Sequence, residues 1–239
     1  MEKLLEVLDL EKSFGGNKVL DRVSFHIKRG EILGVIGPNG SGKTTLLNVI
    51  SGLLKQDSGK ILFKGKDIGK TGAYVRARLG IGRTFQNPRT FPSLTVLENL
   101  KIARLHSGRM THTQEILKKT GLYELKDRYS DRLSLAQKKR LELARALAIA
   151  PEILLLDEIF AGLNPASVKD ISDLIKQLKD EGLSIVMVEH VLSALIPLAD
   201  RIIVLSEGRV IYDGDKYGAF RDEKVRRAYL GERYSSLGV

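Results

Sequence analysis

The chain has 239 residues, of which 43% are hydrophobic and 28% are charged, a balance typical of a folded globular protein rather than a disordered one. It contains no cysteine, which excludes disulfide frameworks and thiolate metal sites, and no apolar run approaches the roughly 18 residues that a membrane-spanning helix needs. The net charge of +10 is compatible with a nucleic acid, an anionic membrane surface or simply solvated faces, so charge alone identifies no partner.

The first half of the chain predicts a strand, a glycine-rich loop and a helix. Its N-terminal stretch carries acids among the apolar residues and lacks a cleavage-type site, so we expect no secretory signal and a cytoplasmic protein. Short apolar runs between 4 and 36 end in EILGVIG, whose length and β-branched content predict a buried strand. Residues 42 to 54 then place apolar side chains at helical spacing, and 61 to 68 predict a short strand with a turn.

The second half of the chain changes from helices to alternating strands and helices. Between Pro88 and Pro151 three segments have helical patterns, and none convincingly predicts a strand. Strands are then predicted at 153 to 158, 184 to 190 and 201 to 214, with a helix from about 165 to 181. This alternation predicts an α/β fold with a mostly parallel sheet flanked by helices. We predict one domain, composed of a core at 1–86 and 151–220, a helical subdomain at 87–150 and a C-terminal tail at 221–239.

Residues 37 to 44 read GPNGSGKT and fit the phosphate-loop pattern G-x-x-x-x-G-K-T. They follow a predicted strand and open a predicted helix, which is the context that the mechanism requires, and a plain glycine-rich turn would not need Lys followed by Thr. Backbone amides of such a loop close around phosphates, Lys43 reaches the β and γ oxygens, and the Thr44 hydroxyl coordinates Mg²⁺. The sequence therefore predicts a nucleoside triphosphate site formed by Gly37, Pro38, Asn39, Gly40, Ser41, Gly42, Lys43, Thr44 and Thr45.

Polar side chains stand at the ends of the later strands. Asp157 and Glu158 follow ILLL at the carboxyl end of a predicted strand, where α/β proteins place ligands. In a chain with a phosphate loop they indicate hydrolysis, with Asp157 in the Mg²⁺ shell and Glu158 orienting or deprotonating the attacking water. His190 closes the strand SIVMVEH and either contacts the γ-phosphate or is a structural histidine. Gln86, at the end of GIGRTFQ, is placed to touch the metal or the water.

Residues 133 to 137 read LSLAQ and predict the start of a helix that runs toward Pro151. Ser134 is its N-cap, and Gln137, three residues later, closes a capping box. Because the bare amides and the dipole at a helix N-terminus attract anions, these residues could also form half of a phosphate site. The five residues alone do not decide between a capped helix and a phosphate site.

The order of these motifs resembles the nucleotide-binding subunit of an ABC transporter over essentially the whole chain. LSLAQ stands at the family's LSGGQ signature, AGLN at 161 to 164 stands at the loop after the Asp-Glu pair, and Phe14 matches the aromatic residue that stacks on adenine. The resemblance implies a P-loop NTPase core with an antiparallel β subdomain and a helical subdomain. More narrowly, GIGRTFQNPRTFPSLTVLENL, FAGLNP and AYLGE resemble the subunits that power branched-chain amino acid uptake, and the lipopolysaccharide-export ATPases share parts of these segments.

The resemblance also implies cofactors, partners and a mechanism. ATP and Mg²⁺ are the expected cofactors; the expected catalytic residues are Glu158, His190 and Gln86, and the expected metal ligands are Thr44, Gln86 and Asp157. In this family two chains sandwich two ATP molecules, so the signature is expected to serve the partner's nucleotide through Ser134, Leu135, Ala136 and Gln137. The expected partners are a second ATPase subunit, separate transmembrane permease subunits and, indirectly, a solute-binding protein. The chain would then be peripheral on the inner face of the membrane.

The chain departs from the family pattern at the signature and after the catalytic glutamate. Leu135 and Ala136 replace two glycines, which permit a close backbone approach that a methyl group obstructs. We expect Leu135 to turn away into packing and Ala136 to be tolerated with some loss of contact. Ile159 stands where the family usually has proline, and we interpret it as local packing. The altered signature would also suit a weakly active partner in a heterodimer.

Other classes of P-loop protein fit the sequence less well. A non-transport ABC ATPase that acts on DNA or the ribosome would suit the basic charge, but such proteins usually carry a coiled-coil insertion or two cassettes, so we expect no nucleic acid partner. A small-molecule kinase or GTPase is disfavoured because a guanine-reading N-K-x-D is absent and Glu directly follows Asp. ATP-driven transport is therefore the preferred function, with the transported substrate and its direction left open.

Overall fold

The computed structural model describes residues 2–105 and 112–230, with side chains described as far as residue 229. Its strands are β1 (Lys3–Phe14), β2 (Asn17–Lys28), β3 (Ile32–Ile36), β4 (Ser58–Phe63), β5 (Lys66–Asp67), β6 (Ile81–Arg83), β7 (Ile153–Asp157), β8 (Ser184–Val188), β9 (Arg201–Ser206) and β10 (Arg209–Gly214). Its α-helices are α1 (Lys43–Ile50), α2 (Ala73–Leu79), α3 (Val96–Leu105), α4 (Thr113–Lys119), α5 (Leu135–Leu147), α6 (Pro165–Asp180), α7 (Leu192–Leu198) and α8 (Glu223–Leu230).

The strands form a large, mostly parallel sheet and a smaller antiparallel one. The large sheet has the strand order β10-β9-β3-β8-β7-β6, in which only β10 runs antiparallel to its neighbour. The smaller sheet has the order β2-β1-β4-β5. Every residue of β3, β7 and β8 is buried, as is typical of parallel strands covered on both faces. The predicted α/β fold with an antiparallel β subdomain is therefore confirmed.

The differences from the sequence prediction lie in short elements. The helix predicted at 42 to 54 ends at Ile50, because Gly52 takes a left-handed backbone conformation with φ 77°. Helix α2 and strand β6 were not predicted. Strand β6 has only three residues, and it gains its strand geometry by pairing with β7. The strand predicted at 201 to 214 is a hairpin formed by β9 and β10.

The region predicted to be helical, 87 to 150, holds α3, α4 and α5, and its described residues form none of the named strands. These helices pack around an apolar cluster of their own, formed by Val96, Leu100, Leu117, Leu122, Leu133, Leu141 and Ala144. No helix in the described ranges combines the length and the apolar character that crossing a bilayer requires. The boundaries of core, helical subdomain and tail remain predictions, with α8 lying in the predicted tail.

A buried arginine of α2 joins the end of α1 to the segment that follows β5. Arg76 is 1% exposed, and its guanidinium donates to the carbonyl oxygens of Val49 at 2.6 Å and Ile50 at 2.8 Å. It also donates to the carbonyl oxygens of Ile68 at 2.8 Å and Thr71 at 3.0 Å. Helix α1 carries the phosphate-loop lysine, so Arg76 anchors the helix on which the candidate site depends.

We expect Arg76→Met to lower the free energy of unfolding by about 3 kcal/mol, because it leaves several buried carbonyl oxygens without their donor. Arg78→Met is the matched control, since Arg78 is an exposed residue of the same helix, and it should change the free energy by less than about 1 kcal/mol. Urea denaturation of both variants measures the difference. Equal effects of the two substitutions would show that the Arg76 contacts do not stabilise the fold.

Candidate functional site

The phosphate loop connects β3 to α1, and packing requires glycine at two of its positions. Gly42, just before α1, has a φ of 102°, and a Cβ atom there would lie 2.8 Å from the carbonyl oxygen of Val19 in β2. A Cβ atom on Gly37 would lie 2.0 Å from the carbonyl oxygen of Leu205 in β9. The loop is thus held tightly against two strands, and only glycine fits where it touches them.

Lys43 places a buried positive charge under the phosphate loop. The residue is 6% exposed, and its ammonium donates to the carbonyl oxygens of Gly37 at 2.9 Å and Pro38 at 2.8 Å. Burial lowers the pKa of Lys43, whereas the nearby carboxylates of Glu158 and Asp157 raise it. An anion held by the loop would meet this cation in a poorly solvated position, where charge pairing is strong.

Asp157 ends β7 beside the phosphate loop and is 2% exposed. Its Oδ2 accepts a hydrogen bond from the Arg83 guanidinium at 3.2 Å, whereas its buried Oδ1 accepts none from the described residues. Burial and the nearby Glu158 carboxylate raise the pKa of Asp157, whereas the Arg83 guanidinium and the neighbouring Thr44 hydroxyl lower it. A carboxylate oxygen without a partner, close to a threonine hydroxyl, supplies the hard oxygen donors that Mg²⁺ prefers. The residues present therefore fit a magnesium ion.

Three side chains predicted to be catalytic converge at the carboxyl edge of the large sheet. Glu158 follows β7, and its Oε2 accepts a hydrogen bond from Gln86 Nε2 at 2.6 Å. His190 follows β8, and its Nε2 lies 3.2 Å from Glu158 Oε1. The Glu158 side chain is 15% exposed and that of His190 is 42% exposed, so the carboxylate is sheltered but reachable. The sequence identified all three residues, and the structure brings them together.

The LSLAQ residues form the N-terminus of α5. The Ser134 hydroxyl accepts from the Gln137 amide at 3.3 Å, and Gln137 Oε1 accepts from the Ser134 amide at 2.9 Å, so the predicted capping box is confirmed. Leu135 does not turn away into packing as expected, because it remains 44% exposed. Its Cδ2 lies 3.0 Å from the point where a Cβ on Gly162 would stand, so it lies over the AGLN loop. Ile159, by contrast, is 2% exposed, as expected of local packing.

Phe14 ends β1 and belongs to the smaller sheet. The residue is 46% exposed, and the Lys12 ammonium lies 5.4 Å from the centroid of its ring. An exposed aromatic face is what stacking on a nucleotide base requires. The contact of Phe14 with adenine remains a prediction.

Sequence reasoning missed three charged residues that surround the site. The first is Arg83, which donates a hydrogen bond to Asp157. The second is Glu189, which is 1% exposed and whose Oε1 accepts a hydrogen bond from the Phe160 amide at 3.0 Å. Burial raises the pKa of Glu189 to about 7. Lys139, which stands between the basic residues Lys138 and Arg140 in the sequence, is 2% exposed. Its helical spacing to Glu142, which is also buried, is the signal that would have identified it as inward-facing.

Comparison with known proteins gives one consistent result. The family model described as ABC transporter matches residues 20–161. A probable branched-chain amino acid transport ATP-binding protein, LivG, from Archaeoglobus fulgidus is 39% identical over 252 residues, with 98% of each chain covered. The lipopolysaccharide export system ATP-binding protein LptB from Haemophilus influenzae is 36% identical over 237 residues, covering 97% of this chain and 98% of that protein.

Solved structures with the same fold include different nucleotide states. A nucleotide-free ATP-binding cassette from an ABC transporter superposes with a TM-score of 0.90 at 34% identity, covering 97% of this chain and 100% of the other. An ATP-binding cassette in a dimeric post-hydrolysis state bound to ADP and Pi superposes with a TM-score of 0.78 at 28% identity, covering 88% of this chain and 98% of the other.

Proposed function

Because the chain belongs to the ABC transporter ATP-binding subunits, which are ATPases that drive transport, we propose that it hydrolyses ATP with Glu158 as the general base. The observation that carries this proposal is the convergence of Gln86 and His190 on the Glu158 carboxylate, at 2.6 Å and 3.2 Å. Each of the three follows a different strand of one sheet edge, beside the phosphate loop. Phosphoryl transfer to water needs this kind of positioning more than it needs covalent chemistry.

The nucleotide would be held by the phosphate loop, with adenine against Phe14. Backbone amides of residues 37 to 45 would surround the phosphates, and the Lys43 ammonium would leave its two carbonyl acceptors for the β and γ oxygens. Mg²⁺, when bound, neutralises charge on the β- and γ-phosphates. Thr44 and Asp157 would hold it, and the amide oxygen of Gln86 is the third predicted ligand.

Hydrolysis would proceed by attack of one water on the γ-phosphorus. The water oxygen bonds to phosphorus as the bond to the ADP oxygen breaks, and the water proton passes to the Glu158 carboxylate. Gln86, which already donates to Glu158, would keep the carboxylate oriented. His190 is 42% exposed, so its ring can contact the γ-phosphate as well as Glu158.

The LSLAQ helix end would act on the nucleotide of a second ATPase subunit. Its capping box satisfies the Ser134 and Gln137 amides, and the dipole of α5, a helix of 13 residues, still favours an anion at this end. We propose that a second copy or a related ATPase supplies the other half of each site. The half-exposed Leu135 would then lie at the subunit interface, next to the AGLN loop.

Transport would require membrane subunits that contact the residues around Gln86 and move when these residues move. A cavity of about 430 Å³ adjoins this segment, and it is lined in part by Phe85, Arg89, Phe91 and Arg145. Aromatic and arginine side chains are enriched where proteins bind each other. We propose this groove as the docking place of a separate permease subunit, with the chain held on the inner face of the cell membrane and no nucleic acid partner.

The transported solute is proposed to be a branched-chain amino acid or a related compound, taken up with the help of a solute-binding protein. The segments GIGRTFQNPRTFPSLTVLENL, FAGLNP and AYLGE and the likeness to LivG support this choice. The likeness to LptB, at a similar identity, makes a lipopolysaccharide-export type the second candidate.

We expect that deleting the gene in its source organism lowers the uptake of labelled leucine, isoleucine and valine, because the permease loses its ATPase. The wild-type gene should restore uptake, whereas a Glu158→Gln gene should not. Uptake of an unrelated sugar serves as the control. Unchanged leucine uptake with a defect in lipopolysaccharide export would favour the second candidate, and salt-sensitive nucleic acid binding without any membrane partner would overturn the transport function itself.

A further inference from the structure

Lys139 is a buried lysine whose ammonium reaches two residues of the candidate site. It lies in α5, five residues after Ser134, and is 2% exposed. Its Nζ donates to the carbonyl oxygen of Glu158 at 2.7 Å and lies 3.4 Å from that of Gln86. Lysine is almost never fully buried unless it is paired, so these backbone contacts are a specific feature of the site.

Acidic groups from three elements surround this ammonium. Burial lowers the pKa of Lys139, and Glu189, then Glu142, then Glu158 raise it. Glu189 is 1% exposed and Glu142 is 4% exposed, so both carboxyl groups share the buried environment of the lysine. The ammonium therefore lies among buried carboxyl groups, next to the two backbone carbonyl oxygens that it contacts.

The contact with Glu158 fixes an unusual backbone conformation. Glu158 has a φ of 48°, in the left-handed region, which is unfavourable for a residue other than glycine. Its amide donates to the Val188 carbonyl oxygen at 2.9 Å, and its own carbonyl oxygen accepts from Lys139 and, at 3.2 Å, from the Ala161 amide. Both backbone groups of Glu158 are thus held, which fixes the position of the Cα atom from which its side chain reaches Gln86.

The same helix also holds the segment that follows Gln86. Glu142 Oε1 accepts from the Arg89 amide at 3.0 Å, and the Arg145 guanidinium donates to the Arg89 carbonyl oxygen. Lys139, Glu142 and Arg145 are spaced three residues apart, so they follow one another along one side of α5. One helix therefore contacts Glu158 and both ends of the stretch from Gln86 to Arg89.

We propose that Lys139 is a positioning residue for ATP hydrolysis, which links the helix that begins with LSLAQ to the backbones of Glu158 and Gln86 in the same chain. This inference rests on the proposed function, in which Glu158 is the general base and LSLAQ serves the partner's nucleotide. Helix α5 then touches one nucleotide site at its N-terminus and the other through Lys139. A change in how LSLAQ engages one nucleotide would shift the catalytic glutamate of the other site.

The test compares Lys139→Met, which removes the donor, with Lys139→Arg, which keeps it, and with Lys138→Met on the adjacent, more exposed residue. We expect Lys139→Met to lower kcat about tenfold to a hundredfold, because small misplacements of catalytic groups have effects of this size. ATP affinity should stay within about twofold, since the contacts of the phosphate loop are intact. Lys139→Arg should recover most of the activity, and Lys138→Met should match the wild type.

Hydrogen exchange supplies a readout that does not depend on turnover. The Ala161 amide donates to the same Glu158 carbonyl oxygen that Lys139 anchors to α5. Because Lys139→Met removes this anchor and loosens the turn, the Ala161 amide should exchange faster in Lys139→Met than in Lys138→Met. If Lys139→Met does not fold, Lys139→Gln, which retains an amide donor, replaces it in the same comparison and should lie between Met and the wild type.

Two outcomes overturn the proposal: a kcat for Lys139→Met equal to that of Lys138→Met with unchanged Ala161 exchange, or a parallel loss of ATP affinity and kcat. A Glu158→Gln variant measured alongside distinguishes a failure of the Lys139 role from a failure of the proposed ATP hydrolysis. If Glu158→Gln is inactive while Lys139→Met behaves as wild type, only the role of Lys139 fails. If Glu158→Gln retains full activity, the proposed function fails as well.

Discussion

Lys43→Ala is expected to lower the affinity for ATP at least about a hundredfold, because it removes a buried ammonium that would pair with the phosphates. The loss should be large because Lys43 is only 6% exposed and its charge acts in a poorly solvated position. Isothermal titration with ATP and Mg²⁺ measures the change directly, and hydrolysis should be lost together with binding.

Lys55→Ala is the matched control for that measurement. Lys55 is an exposed lysine in the turn after α1, and its removal changes the net charge by the same amount as Lys43→Ala. We expect it to bind ATP with nearly wild-type affinity. A Lys43→Ala protein that still bound and hydrolysed ATP would rule out the phosphate loop as the nucleotide site.

Glu158→Gln is expected to lower the rate of hydrolysis by about a thousandfold while leaving ATP affinity nearly unchanged, because a positioned general base contributes roughly 10²- to 10⁴-fold. Glutamine has the same shape and can keep a hydrogen bond to Gln86, but it cannot accept the water proton. Phosphate release at saturating ATP measures the rate, and titration with ATP measures the affinity.

Glu207→Gln is a close control for this substitution. Glu207 has the same left-handed φ of 48° as Glu158, but it is exposed in the turn between β9 and β10. Any general effect of replacing glutamate at such a backbone position should therefore appear in both variants. Hydrolysis by Glu158→Gln at the rate of Glu207→Gln would exclude Glu158 as the base.

Much of the candidate site was predictable from sequence because its parts are local or lie at strand ends. The phosphate loop and the capping box are each contained in a few consecutive residues, so the types and spacing of residues identify them. Gln86, Glu158 and His190 are far apart in sequence, but the carboxyl ends of parallel strands meet at one edge of a sheet. The alternation of strands and helices was therefore enough to predict that Glu158 and His190 meet, whereas Gln86 follows β6, a strand that the sequence did not predict.

The parts that were missed depend on tertiary contacts that no short pattern contains. Strand β6 has three residues and is a strand because it pairs with β7, and α2 has only seven residues. Lys139 reads as one member of a basic cluster, and its burial follows from acceptors in two other segments, the carbonyl oxygens of Glu158 and Gln86. Leu135 was expected to be packed, but the AGLN loop covers it only in part.

Two such chains are proposed to form a nucleotide sandwich in which LSLAQ serves the partner's ATP, although Leu135 and Ala136 replace the family's glycines there. Size-exclusion chromatography of Glu158→Gln with and without ATP tests it most directly, because blocked hydrolysis should trap the sandwich. We predict an ATP-dependent shift from monomer to dimer, which is lost when Lys43→Ala is added. A protein that binds ATP and stays monomeric would contradict the claim for two identical chains and would direct attention to the altered signature and to a different ATPase partner.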